Sequence, residues 1–203
     1  NIAEEIRDSV EKYGFKSIFF DDDTFNLGTK RISKLCDYLK EISLPWTMMG
    51  RLDISPNWLY DKMVDSGCVG MRFGIETFNI DVLKNIEKGI ERRDFRKTLE
   101  YICLTYPEVM IHITMMSDMP GQTAKDTEID MNIIKEMGFT NENILRSYQL
   151  SKCAPFPGTK LYEQMQSRLD DATLKTYKAY DGGQDTIMKV SKKKTSTHIE
   201  TWS

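Results

Sequence analysis

Helical and strand periodicity alternate along most of this chain, and that alternation constrains the fold more than any single motif. Ile2, Ile6, Val10 and Tyr13 recur at helical spacing and Gly14 closes that segment. Ser17-Ile-Phe-Phe-Asp21 then reads as a short apolar strand. Ile32, Leu35, Cys36, Leu39 and Ile42 make the stripe of a second helix, and Trp46 to Asp53 the next strand. Ser55-Pro56 supplies an N-cap and a proline at the first helical position before Trp58, Leu59, Met63 and Val64, with Gly67 as the stop. Val69–Glu76 is a third strand, followed by a short helix through Ile80, Leu83 and Ile86 and a longer one through Phe95, Leu99 and Ile102. Met110–Met116 is a fourth strand, Ile129, Ile133, Ile134 and Met137 a further helix, and Ile144–Ser151 a fifth strand before a helix around Leu161. The order is α-(βα)5. Strands separated by helices pair in parallel through right-handed crossovers. Two architectures satisfy this: a TIM-like barrel, whole or partial, and an open doubly wound sheet. No strand is followed by a dinucleotide or Walker glycine loop, which weakens the nucleotide-fold reading.

Composition narrows the class further. Formal net charge is −3 over 203 residues, so nothing suggests the basic excess of a general nucleic-acid binder. No apolar run approaches the ~20 residues that span a bilayer. The four cysteines, Cys36, Cys68, Cys103 and Cys153, are scattered, and the expectation is buried, reduced thiols in a cytoplasmic protein without a metal site of their own. Because Asn1 opens directly into a helical pattern, we expect a piece of a longer chain. Domain organisation is expected to be a barrel over 1–165 and a C-terminal helix with a polar extension over 166–203.

In parallel α/β folds, ligands bind where strands end at their carboxyl side. Those ends here carry Asp21–Asp23, Arg51 with Asp53, Glu76 with Thr77, Ser117 with Asp118, and Ser147, Gln149 and Ser151. Side-chain alternation turns Thr47, Met49 and Arg51 to one face, with Arg72, Gly74, Glu76, His112, Thr114 and Met116. A purely structural barrel fills that face with Val, Ile and Leu, so this inner face reads as a solvated pocket. Plainer readings stand beside these: the three aspartates as caps of the next helix, Glu76 as the ion-pair partner of Arg72 or Arg51, and His112 as a satisfied buried histidine.

The order of motifs is more specific than any of them. Phe19-Phe-Asp-Asp-Asp-Thr-Phe25, Trp46 with Arg51-Leu-Asp53, Gly67-Cys68, Phe73-Gly-Ile-Glu-Thr77, Ile86-Glu-Lys-Gly89, Met119-Pro-Gly-Gln-Thr123 and Pro155-Phe-Pro-Gly-Thr159 follow one another. This succession resembles the radical S-adenosylmethionine (radical SAM) superfamily, and within it a cobalamin-associated branch that includes enzymes similar to Mg-protoporphyrin IX monomethyl ester oxidative cyclase. The resemblance implies a partial (βα)6 barrel whose first strand and Cys-x3-Cys-x2-Cys cluster loop are missing here. It implies S-adenosylmethionine, a [4Fe–4S] cluster with ligands outside this chain, and cobalamin in the parent as cofactors. It implies a small-molecule substrate and a reductant such as flavodoxin or ferredoxin as partners.

The same resemblance assigns site residues. Phe20, Asp21 and Asp22 lie where the family contacts the methionine amino group, Arg51 where it pairs with the methionine carboxylate, and Glu76 where it takes the ribose hydroxyls. Met116 and Gln149 lie on the two stretches that touch adenine. Asp118 and Gln122 replace residues that relatives often show as Gly and Glu. Without cluster cysteines, this chain alone is expected to be inactive. The competing readings are a Mg-dependent TIM-like lyase or hydrolase using Asp21, Asp23 and Glu76 as oxygen ligands, and a non-catalytic barrel scaffold.

Overall fold

A computed structural model describes residues 2–86 and 94–165. The elements in chain order are α1 (Ile2–Tyr13), β1 (Ile18–Phe20), α2 (Thr29–Ile42), β2 (Trp46–Gly50), α3 (Asn57–Asp65), β3 (Cys68–Glu76), α4 (Ile80–Asn85), α5 (Phe95–Thr105), β4 (Met110–Ser117), α6 (Ala124–Glu136), β5 (Arg146–Lys152) and α7 (Lys160–Met165). The five strands form one parallel sheet in the order β1-β2-β3-β4-β5. Sequential order without reversal is the winding of a TIM-type barrel wall; a doubly wound sheet would reverse at a switch point. The fold is therefore the partial barrel. The extension expected over 166–203 and the segment through Glu87 to Gly89 lie outside the described residues.

One face of the sheet makes the core. Trp46, Met48, Met71, Phe73, Ile75, Ile111, Ile113 and Met115 are all buried, and α2, α3 and α5 cover them with Ile32, Leu35, Leu39, Leu59, Met63, Leu99 and Ile102. Phe20, Phe25 and Trp46 pack mutually, with ring centroids 4.5 to 5.6 Å apart. The Trp46 indole N–H, buried with the ring, is satisfied by donating to the Ser66 carbonyl at 2.9 Å. The opposite face is half exposed, as the alternation predicts: Thr47, Met49, Gly74, His112, Thr114 and Met116 lie there, with Arg72 exposed.

Arg146 closes the far end of the core. Its side chain is 7% exposed and donates to the carbonyls of Val109 (2.6 Å), Leu145 (2.7 Å), Cys103 (3.1 Å) and Tyr106 (3.1 Å). A guanidinium thereby satisfies orphan carbonyls at the C-terminus of α5 and favours the negative end of its dipole.

The structure corrects several sequence-based expectations. The second strand stops at Gly50 rather than Asp53, because the Arg51 N–H leaves the ladder and donates to the Asn26 side chain. Pro56 is the N-cap of α3 and Ser55 provides no cap bond; the Ser55 hydroxyl is buried against Asn26 instead. The aspartates Asp21–Asp23 do not cap α2, whose N-cap is Gly28 with no side-chain bond. In α1, Ile2 and Tyr13 are largely exposed and Ala3 is the buried residue. Ile144 lies outside β5 and is 79% exposed.

Candidate functional site

The carboxyl ends of the strands gather most of the residues that the resemblance assigns. Register places them in rows across the inner face. Thr47, Gly70 and Met110 pair at the bottom, and Met49, Arg72, His112 and Ser147 in the next row. Gly74, Thr114 and Gln149 follow, then Met116 with Ser151. Between Gly74 and Glu76 the register slips, so that Glu76 rather than Ile75 pairs with Met115. Glu76 takes φ 68°, a left-handed conformation uncommon outside glycine, and Asp118 at the end of β4 takes φ 60°. Two adjacent strands thus end in backbone conformations of the kind held at functional sites.

Arg51 is ordered from both its backbone and its side chain. Its Nε and Nη2 donate to the two carboxylate oxygens of Asp53 at 3.0 and 2.8 Å, a bidentate pair. Asp53 is 8% exposed while the Arg51 side chain remains about a third open. The hydrogen bond to Asp53, ahead of the charge itself, raises the Arg51 pKa and outweighs burial. The backbone of Arg51 is gripped by Asn26, which is 1% exposed. Asn26 Nδ2 donates to the Arg51 carbonyl (2.7 Å), to Ser55 Oγ (2.8 Å) and to Tyr60 Oη (3.2 Å), and Asn26 Oδ1 accepts from the Arg51 N–H (3.0 Å). Gly50 makes room for this: a Cβ there would lie 2.5 Å from Asn26 Oδ1. Sequence reasoning missed Asn26. Its only signal is its position directly after the Asp-rich loop, before Leu27-Gly28.

The other assigned residues divide. The half-buried Phe20 ring packs against the core, tilted on Phe25 and edge-on to Trp46. Asp21 and Asp22 are exposed on the loop after β1. Met116 is on the inner face, and its carbonyl already accepts from Gln122 Nε2 at 3.1 Å. Gln122 is 2% exposed, and its Oε1 also accepts from the Met119 N–H at 3.2 Å. The glutamine that departs from the family pattern therefore stitches the Met116–Met119 turn shut. Gln149 is exposed and donates to Ser151 Oγ at 3.0 Å.

Behind the rim, Asp130 of α6 reaches the loop after β3. Its Oδ1 accepts from the Phe78 N–H at 2.9 Å, while Oδ2 is buried without a hydrogen-bond partner. Burial, with the Asp126 charge adding to it, raises the Asp130 pKa against the pull of the Thr77 hydroxyl and the Phe78 N–H. The thiols are insulated: burial raises the pKa of Cys36, Cys68 and Cys103, and burial with Asp118 and Glu76 pushes Cys153 up to about 11. Among the described residues no group of three His, Cys, Asp or Glu side chains is placed to hold a metal ion. The described part of the chain therefore fits neither an iron–sulfur cluster nor the Asp21–Asp23–Glu76 magnesium site.

No protein-family model matches the chain. Among curated proteins, it is 26% identical over 166 residues to an uncharacterized methyltransferase of Pyrococcus horikoshii, covering 80% of this chain and 34% of the relative. It is 24% identical over 187 residues to the bacteriochlorophyllide d C-12(1)-methyltransferase of Chlorobaculum tepidum, covering 88% of this chain and 38% of that one. The chain thus spans about a third of the length of the curated relatives it matches. Among solved structures, TsrM of Kitasatospora setae, a radical S-adenosylmethionine methyltransferase with cobalamin and a [4Fe–4S] cluster bound, superposes with a TM-score of 0.66. That match is 13% identical and covers 81% of this chain and 30% of TsrM. The fold is the partial barrel seen in TsrM. Within that barrel, β1 to β5 form a contiguous part of the wall, and the rim carrying Arg51, Glu76 and Asp118 is its carboxyl-terminal end. No helix among the described residues is long and apolar enough to cross a membrane.

Proposed function

We propose that this chain is the barrel portion of a radical SAM enzyme and that its strand-end rim binds S-adenosylmethionine. The observation that carries the reading is Glu76: it ends β3 after a register slip, in a left-handed conformation, on the rim of a radical SAM barrel. A carboxylate there suits a ribose diol, which offers two hydroxyl donors. Arg51 suits the methionine carboxylate. Its bidentate bond to Asp53 fixes the plane of the guanidinium, whose fork geometry matches a carboxylate. The loop backbone at Phe20, Asp21 and Asp22 takes the amino group, and the Met116 and Gln149 stretches flank the adenine.

A [4Fe–4S] cluster held by residues outside those described would supply the electron that splits the sulfonium into methionine and a 5′-deoxyadenosyl radical able to take hydrogen from substrate. The methyltransferase relatives and the TsrM barrel support a parent that transfers a methyl group with cobalamin, beside the cyclase-like oxidation. The partners of that parent are a small-molecule substrate and a flavodoxin- or ferredoxin-type reductant. The test is S-adenosylmethionine affinity in the longer protein. Glu76→Ala should weaken it about tenfold or more, the loss of a hydrogen bond to a charged group. Unchanged affinity removes Glu76 from the site.

A further inference from the structure

Below the rim, the inner face carries a polar row that the cosubstrate assignments leave unused. Met49, Arg72, His112 and Ser147 are register partners on β2, β3, β4 and β5, so their side chains stand side by side across the sheet. Arg72 Nη2 lies 3.4 Å from His112 Nε2, and His112 Nδ1 lies 2.9 Å from Ser147 Oγ. These two contacts fix the proton positions. A guanidinium only donates, so Nε2 must accept and the ring proton sits on Nδ1. Nδ1–H then donates to Ser147 Oγ, which leaves the serine hydroxyl proton free to turn toward a third group.

Burial and then the Arg72 charge hold the His112 pKa below its ordinary value, which keeps the ring in this neutral, single-tautomer form. Arg72 also differs from the other described arginines. Arg7, Arg51 and Arg96 each have a carboxylate partner, and Arg31 and Arg146 donate to backbone carbonyls. Among the described residues no carboxylate lies within ion-pair distance of Arg72, which is exposed on the inner face. The next inner-face position up the strand is Gly74, so no side chain from β3 stands directly between Arg72 and the rim. At ~3.3 Å per residue, Arg72 lies roughly 13 Å below Glu76 along the strand.

We propose that Arg72 and the Ser147 hydroxyl bind an anionic oxygen group of the substrate, a carboxylate or phosphate at the end of an arm that descends from the rim, with His112 as the positioning residue between them. The inference rests on the reading of this face as a radical SAM substrate chamber and adds the substrate's chemical class. A guanidinium with no carboxylate beside it among the described residues and a hydroxyl with a directed proton form the donor pair that such a group needs.

The chain has two histidines, so a His112→Gln variant assigns the His112 imidazole signals in nuclear magnetic resonance. In 15N-labelled chain at neutral pH, His112 should show the Nδ1–H tautomer. Sodium acetate or inorganic phosphate, against chloride at equal ionic strength, should neutralise Arg72 and move the His112 titration midpoint upward by about half a pH unit. Arg72→Gln should start at the higher midpoint and lose the response to anion; Arg72→Lys should restore part of it. Ser147→Ala should keep the midpoint and weaken the response several-fold. A stronger response to phosphate assigns a phosphorylated arm, and a stronger response to acetate a carboxylate arm. A His112 midpoint that ignores both anions, or moves equally in Arg72→Gln, overturns the proposal. The measurement needs neither cluster nor S-adenosylmethionine, so its failure is separable from failure of the radical reading.

Discussion

Asn26 and Gly50 offer a quantitative check on how the rim is held. Truncating Asn26→Ala removes four hydrogen bonds, but most of the partners it abandons have others. The Arg51 carbonyl keeps the Tyr60 hydroxyl at 2.9 Å, and the Ser55 hydroxyl keeps the Asn26 carbonyl at 3.2 Å. The group left without a partner is the Arg51 N–H, whose acceptor was Asn26 Oδ1. One stranded N–H costs about 1–3 kcal/mol, and the lost net hydrogen bonding about 1 kcal/mol more, so the expected loss is about 3 kcal/mol. Gly50→Ala in the native background sets a methyl 2.5 Å from Oδ1, 3.0 Å from Cγ of Asn26 and 3.2 Å from Met48 Sδ, and should also cost about 1–3 kcal/mol. Combining them relieves the Asn26 part of that clash, because the methyl then occupies space the amide has vacated. The double variant should be more stable than the sum of the singles by about 1–2 kcal/mol. Urea denaturation of the four proteins, monitored by tryptophan fluorescence and far-ultraviolet circular dichroism, measures the cycle. Additive losses, or a loss below about 1 kcal/mol for Asn26→Ala, would refute the claim that Asn26 fixes the Arg51 backbone.

Two further expectations follow from the buried groups. Asp130 has a folded pKa above its unfolded value of about 4, so the folded state gains relative stability at low pH and loses it as pH rises through the folded value. Asp130→Asn keeps the acceptor for the Phe78 N–H and removes the charge; it should raise the urea midpoint at pH 7, with the gain shrinking toward pH 4, and a gain that does not depend on pH would contradict this. With Cys153 at about 11, only about one molecule in a thousand carries that thiolate at pH 8. Disulfide-exchange reagents should therefore label the native described thiols about a hundredfold more slowly than the unfolded chain, and rapid native labelling at Cys153 would show that its surroundings are misjudged.

The barrel was legible because it is written in apolar periodicity. The alternation of Ile111, Ile113 and Met115 with His112, Thr114 and Met116 separates core from chamber, and the structure keeps that division. The strand-end polar residues follow from the same alternation. What the sequence could not show is which polar groups meet. Asn26 reaches Arg51 across 25 positions, and Arg72, His112 and Ser147 come from three strands whose shared register only the sheet reveals. Ser55 illustrates the same limit: before Pro56 it has the local chemistry of a cap, and a longer-range hydrogen bond to Asn26 takes it instead. The slip at Glu76 has no local signature either, since Gly74-Ile75-Glu76 reads as ordinary alternation.

The central claim, that this barrel serves a radical SAM enzyme, is tested most directly by electron paramagnetic resonance of the protein encoded by the whole reading frame that contains this chain. The protein would be reconstituted anaerobically with iron and sulfide, reduced, and measured with and without S-adenosylmethionine. The account predicts a reduced [4Fe–4S] signal that changes on S-adenosylmethionine addition, with the change displaced to higher concentration in Glu76→Ala. A folded protein that takes up no cluster, or whose cluster signal is indifferent to S-adenosylmethionine, would contradict it and leave the barrel as a scaffold.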